Sequence, residues 1–225
     1  MNVSAVVVTR GDVPLDQILY TFTNVPEIDE VVVWDNSQQP EDAKTWGRHL
    51  ALARCKNRVI YSQDDDLVHE PDTIQAILAA YEPGVISGCM WNQWSDGAAR
   101  QGIAGGYTDI AFTGAGSVYD RETTLTAAAR YLEHYPQDDF FRVWCDAIIG
   151  VIAPSKWIDE RFMVLSYASN ANRICNMENA ASLKREAIRR ARSVRDGTQI
   201  PDRPKEDGHT LYMAELNARL QRSAA

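Results

Sequence analysis

In the N-terminal part of the chain, β-branched apolar runs alternate with segments of helical periodicity, and this alternation limits the fold more than any other feature. Residues 3–9 are a β-branched run that reads as a buried strand. Gly11-Asp12-Val13-Pro14 breaks it, with Pro14 suited to a first helical turn, and Leu15, Ile18, Leu19 and Phe22 then recur at helical spacing. Residues 30–34 predict a second strand, ended by the turn formers Asp35-Asn36-Ser37. Residues 41–54 predict a helix with Trp46, Leu50 and Leu52 on or near one face, and residues 58–62 a third strand. A helix over 71–81 and a strand over 85–88 follow. The βαβαβαβ order indicates an α/β fold with a mostly parallel sheet and helices on both faces.

The rest of the chain is less regular. Residues 90–106, rich in Gly, Trp, Asn and Gln, read as a long functional loop. A strand is expected over 110–118, helices over 121–134, 183–195 and 209–222, and a helix or a buried segment over 140–152. The simplest division is a single domain over residues 1–200 and a tail with a short helix over 201–225.

Composition closes several routes. The chain has 225 residues, with 23 Lys and Arg against 31 Asp and Glu, a net charge of −8. That acidity argues against coating nucleic acid by bulk charge, although a local basic face stays open. No apolar run approaches the roughly 18 residues of a membrane span. The first ten residues read as a strand rather than a leader, so a cytoplasmic protein without stable membrane insertion is expected. The four cysteines, Cys55, Cys89, Cys145 and Cys175, form no CxxC pair and read as reduced and mostly buried.

Asp64-Asp65-Asp66, directly after the third strand, is the sharpest chemical signal. Three successive carboxylates repel one another, and the carboxyl end of a strand is where open α/β sheets bind ligands. A divalent cation would relieve the repulsion, and oxygen ligands suit Mg²⁺ or Mn²⁺. An extended chain would put Asp64 and Asp66 on one side and turn Asp65 elsewhere. The competing reading is a solvated acidic turn ahead of the helix at Pro71. Thr9-Arg10 and Asp35-Asn36 end the first two strands, so parallel pairing would bring three polar ends to one edge. That edge would make a pocket for a nucleotide and a metal.

Further candidates lie later in the chain. There is no GxxxxGK[ST], so a P-loop is absent. Phe112-Thr113-Gly114-Ala115-Gly116 is either a tight bend or a place where small residues admit an acceptor. Asp146 stands among apolar residues, where desolvation would raise its pKa and suit a general base; Asp138-Asp139 fits a helix cap better. Lys184, Arg185, Arg189, Arg190, Arg192 and Arg195 make a basic helix, read as a solvated face, a diphosphate contact or a nucleic-acid face.

These features together resemble the GT-A glycosyltransferases, closest in style to the exostosin-like branch and to family 2-like enzymes. The resemblance covers roughly residues 3–155. It is clearest at Val31-Val32-Val33-Trp34-Asp35-Asn36, Asp64-Asp65-Asp66-Leu67-Val68, Phe112-Thr113-Gly114-Ala115-Gly116 and Cys145-Asp146-Ala147-Ile148. It implies a Rossmann-like sheet and metal-dependent sugar transfer from a nucleoside-diphosphate donor, most often a UDP-sugar. By resemblance, Asp64 and Asp66 form the Asp-x-Asp metal pair, with Mn²⁺ or Mg²⁺ as cofactor. Thr9, Arg10, Asn36, Asp64, Asp65 and Arg185 (or Lys184) would contact the donor, and Asp146 would act at the reacting carbon. Trp91, Asn92, Trp94 and Gly114 would form the acceptor side. The acceptor would be a glycan or, as in some phage enzymes, a hydroxymethylated pyrimidine in DNA. The rival readings are a nucleotidyltransferase and a non-catalytic nucleotide-sugar-binding module.

Overall fold

A computed structural model describes residues 1–89, 107–108, 111–158, 163–164 and 179–198. Strand β1 (Val3–Thr9) is buried along its whole length, as its unbroken apolar run requires. It pairs in parallel with β2 (Ile28–Asp35) on one side and β3 (Val59–Asp64) on the other. Two short strands follow, β4 (Leu67–Val68) and β5 (Ile86–Cys89), and then β6 (Tyr107–Thr108), β7 (Ala115–Asp120), β8 (Ser155–Ile158) and β9 (Met163–Val164). The main sheet runs β2-β1-β3-β7-β5-β8-β6, while β4 and β9 form a separate antiparallel pair.

The fold is α/β with a mostly parallel sheet. Strands β2, β1, β3, β5 and β8 share one direction, and β7 and β6 oppose it. The four strands of the expected βαβαβαβ order, β1, β2, β3 and β5, all run the same way; β7 inserts antiparallel between β3 and β5, a placement that hydrophobic period does not report.

Alternation along β1 sorts the core into two layers. Val3, Ala5 and Val7 pack on one face with Ile18 and Phe22 of α1 (Asp16–Thr23) and Ile74 and Ile77 of α3 (Pro71–Ala79). Val6 and Val8 face the other layer. There they meet Ala51 of α2 (Gly47–Ala51), Ala127 and Tyr131 of α4 (Arg121–Leu132), the apolar side of α5 (Asp139–Ile152), and Ala187, Ile188 and Ala191 of α6 (Ala180–Asp196). No helix among the described residues is long and apolar enough to cross a membrane.

The helix expected over 41–54 is broken. Lys44–Trp46 and Leu52–Arg54 are 3-10 turns on either side of the five-residue α2. Gly47 lies so close to the Trp34 indole that a Cβ there would collide with it. Leu50, expected on the buried face, is exposed, whereas Arg48 and His49 are buried. The strand expected over 110–118 starts later, at Ala115, because Thr113 and Gly114 form a turn. Asp138 caps α5 by accepting from the Phe141 N–H at 3.0 Å, as its position after Pro136 suggests.

Candidate active site

Three parallel strands end at one edge of the sheet. Thr9 is level with Asp35, and Val8 is level with both Trp34 and Asp64. Since β7 runs the opposite way, its first residues, next to Thr113 and Gly114, reach the same edge. Two helices complete the site: α2 supplies Arg48 and His49, and α5 supplies Cys145 and Asp146.

Arg48 is the centre of the arrangement. Its side chain is fully buried; Nη2 pairs with Asp64 Oδ1, and Nη1 pairs with Asp146 Oδ1. A buried guanidinium is tolerated only where carboxylates and hydrogen bonds compensate it. Thr113 fixes the second carboxylate by donating from Oγ1 to Asp146 Oδ1 at 2.8 Å, and Arg48 Nη1 lies 3.5 Å from the same hydroxyl. The Thr113 carbonyl is itself held by the hydroxyls of Ser62 and Ser117, and Tyr119 donates to Ser62 Oγ at 3.0 Å. The strands β3 and β7 therefore hold the threonine that positions the helix carboxylate.

Asp64 rests on Gly114. Its N–H donates to the Gly114 carbonyl at 2.7 Å, and a Cβ on Gly114 would stand 2.5 Å from Asp64 Oδ1. The space that a side chain would take at this glycine is filled by a carboxylate of the chain itself. Asp65 and Asp66 are buried in the turn between β3 and β4. The alternation expected along Asp64-Asp65-Asp66 stops at Asp64, since a turn does not keep the period of an extended strand.

The charges shift in opposite directions. Burial, then repulsion from Asp66, Asp146 and Asp65, pushes Asp64 up to about 7 against the pull of Arg48. The Asp64 side chain still keeps 38% of its surface exposed, so water moderates the burial contribution. Asp146 behaves differently from the sequence expectation. Burial alone would raise it, but Arg48 and its hydrogen bonds outweigh burial and hold the carboxyl well below the usual range. Burial lowers the pKa of His49, and its Nε2 lies 3.8 Å from Asp146 Oδ1, too far for a hydrogen bond.

His49, Cys145 and Asp146 have donor atoms within 4.8 Å of one another, the one such threesome of His, Cys, Asp or Glu among the described residues. Arg48 already provides a cation at Asp146 Oδ1, and burial pushes the Cys145 thiol up, so this group is a poor metal centre. The acidic turn offers carboxylate oxygens alone, the donor type that suits a hard cation, with Asp64 paired to Arg48 and Asp65 and Asp66 buried.

The remaining candidates are placed as follows. Thr9 is buried at the end of β1 and accepts from the Gly11 N–H at 3.1 Å. Arg10 pairs with Asp12 at 2.5 Å. Gly11 has φ +77° and packs where a Cβ would meet Ser37 Oγ at 2.6 Å, which joins the loops after β1 and β2. Asn36 is committed to the fold: its Oδ1 accepts from Trp34 Nε1 at 3.0 Å and from the Ala43 N–H at 3.1 Å, and its Nδ2 donates to the Lys44 carbonyl at 3.1 Å.

On α6, Arg185 is exposed, while Lys184 Nζ sits 4.1 Å from the centre of the Phe112 ring, beside Thr113 and Gly114. Much of the remaining basic charge is compensated. Arg189 and Arg190 pair with Glu186, Arg190 also lies over Phe140, and Arg195 pairs with Asp196. Trp91, Asn92 and Trp94 lie outside the described residues, as do the expected 209–222 helix and Cys175.

Arg48 and Thr113 are the site residues that sequence reasoning missed. Thr113 lies inside the Phe112-Thr113-Gly114 motif, which was a usable signal. Arg48 gave none, because its burial depends on partners far along the chain.

No protein-family model matches the chain, and no curated protein matches it. Among solved structures, the chain is similar to S. aureus TarS 1-349, at 12% identity over 88% of this chain and 72% of that one, with a TM-score of 0.47. It is similar to A197 from STIV, at 14% identity over 74% of this chain and 95% of that one, with a TM-score of 0.44. It is also similar to the mannosyltransferase PcManGT from Pyrobaculum calidifontis, in complex with GDP-Man and Mn²⁺, at 18% identity over 70% of this chain and 55% of that one, with a TM-score of 0.42.

Proposed function

We propose that the chain is a GT-A-type glycosyltransferase that moves a sugar from a nucleoside-diphosphate donor to an acceptor hydroxyl. One observation carries the reading. The acidic turn lies at the carboxyl edge of the parallel strands, and its first carboxylate meets Asp146 on one buried guanidinium. That edge is where a parallel α/β sheet binds nucleotides. The Asp-x-Asp resemblance of Asp64-Asp65-Asp66 gives the donor class, a nucleotide sugar and most often a UDP-sugar.

Asp64 and Asp66 would hold a divalent cation, Mn²⁺ or Mg²⁺. When bound, such a cation supplies positive charge to the leaving diphosphate. Thr9, at the end of β1, and Asp65, in the acidic turn, belong to the donor side. Lys184 is better placed than Arg185 to bring a cationic group to that side, because it already lies against Phe112. Asp146, held ionised and low in basicity, suits offsetting positive charge at the reacting carbon better than removing a proton from the acceptor. A glycan acceptor is favoured over DNA, since Arg189, Arg190 and Arg195 on α6 are paired within the helix.

Thermal unfolding with ligands tests the reading. Mn²⁺ and a uridine nucleotide together should raise the melting temperature more than either alone, and Asp66→Ala should abolish the joint effect. No shift with any nucleoside diphosphate would count against it.

A further inference from the structure

A guanidinium presents donors in a rigid plane and can serve two carboxylates at once, whereas an ammonium is a single compact charge. Arg48 uses its geometry in this way. Nη2 engages Asp64, whose side chain is 38% exposed, and Nη1 engages Asp146, whose side chain is 14% exposed. The inner carboxylate has a second anchor in Thr113. On the outer carboxylate, Arg48 meets Oδ1, so a cation held by Asp64 would share that carboxylate with the guanidinium. Two positive groups crowded on one carboxylate repel, so occupancy by one weakens the other.

We propose that Arg48 is a positioning residue that couples the cation site to Asp146. Without a divalent cation it bridges Asp64 and Asp146; a cation taken by Asp64 releases Nη2 and leaves the guanidinium to Asp146 and Thr113. This inference rests on the metal-dependent reading above and goes beyond it by assigning the cation site an internal competitor. The coupling runs both ways, because two ligands of one group compete reciprocally. A cation at Asp64 strengthens the hold of Arg48 on Asp146, so the carboxylate at the reacting carbon is fixed when the donor's metal is in place.

The test is calorimetric titration of the full chain with Mn²⁺ alone, comparing wild type, Arg48→Lys and Arg48→Met. Arg48→Lys keeps the charge and loses the bridge. The coupling predicts that it binds Mn²⁺ at least about fivefold more tightly than wild type. Arg48→Met should bind more tightly still. Equal affinity in wild type and Arg48→Lys, or weaker binding in Arg48→Lys, would overturn the proposal while leaving a metal site in place. Absence of Mn²⁺ binding in all three proteins would overturn both the proposal and the metal-dependent reading. If Arg48→Met fails to fold, the Arg48→Lys comparison stands alone. The guanidinium NMR signals of Arg48 in wild type give a second readout: added Mg²⁺ should perturb Nη2 and leave Nη1 ordered, and an unchanged Arg48 spectrum under saturating Mg²⁺ would overturn the bridge.

Discussion

Asp64 lies on Gly114: its N–H bonds to the Gly114 carbonyl at 2.7 Å, and a Cβ on that glycine would stand 2.5 Å from Asp64 Oδ1. Gly114→Ala must therefore displace the carboxylate from its place between β7 and Arg48. The expected cost is about 1–3 kcal/mol of stability, typical of overpacking. Urea unfolding of the variant checks it, and unchanged stability would show that the carboxylate moves aside without cost.

Asp146 neutralises a buried arginine. Asp146→Ala leaves Arg48 with one carboxylate and should cost about 3–5 kcal/mol, the range for breaking a buried pair. The pH dependence has a definite sign. A carboxylate depressed by folding contributes its stability in full above its unfolded pKa, about 3.9, and loses it as pH falls further toward the folded value. The stability gap between wild type and Asp146→Asn should be flat near neutrality and shrink below about pH 4. Urea denaturation across pH reads it directly.

Asp64 has the opposite sign. Its folded pKa is raised to about 7, so the cation-free protein loses stability as pH rises from the unfolded pKa of about 3.9 through 7. A proton on Asp64 also competes with a metal. Mn²⁺ affinity should climb with pH and level off above about 7, because carboxylate ligands bind deprotonated. Calorimetric titration at several pH values should show proton release below that pH and little above it.

Asn36 gives a contrast between fold and ligand. Asn36→Ala leaves Trp34 Nε1 and the Ala43 N–H without the oxygen they share, and the Lys44 carbonyl without its donor. A loss of about 1–3 kcal/mol is expected for buried groups left unsatisfied. Nucleotide affinity should change little at a temperature where the variant is folded. Thermal unfolding and nucleotide titration together separate the two roles.

Lys184 and Arg185 are adjacent on α6 but differ in place. Lys184→Ala should weaken donor binding about tenfold, or about 1.4 kcal/mol. Arg185→Ala, an exposed change, should have a much smaller effect. The donor KM of each variant decides between them.

The strands and helices that carry the N-terminal sheet were legible because each is a run of one period. The β-branched residues of β1 are buried on both faces, and the spacing of Ile18 and Phe22 marks the face of α1 that packs beneath it. The edge carrying Thr9, Asp35 and Asp64 followed from parallel pairing, and the register bears it out. The direction of β7 did not follow, since burial pattern is the same for either direction. The centre of the site was hidden for another reason. Arg48 stands in a short helical turn two residues before an exposed Leu50, and no local pattern marks it as buried. Its burial is set by Asp64 and Asp146, and the same pairing reverses the shift that apolar neighbours alone would give Asp146.

The central claim is that the acidic turn serves a nucleotide-sugar donor. The most direct measurement is release of nucleoside diphosphate from a panel of nucleotide sugars, with Mn²⁺ and without acceptor, by wild type and by Asp66→Asn. The account predicts slow hydrolysis of at least one donor by wild type, dependent on the cation and lost in the variant. Hydrolysis of none of them, or equal rates in the two proteins, would contradict it.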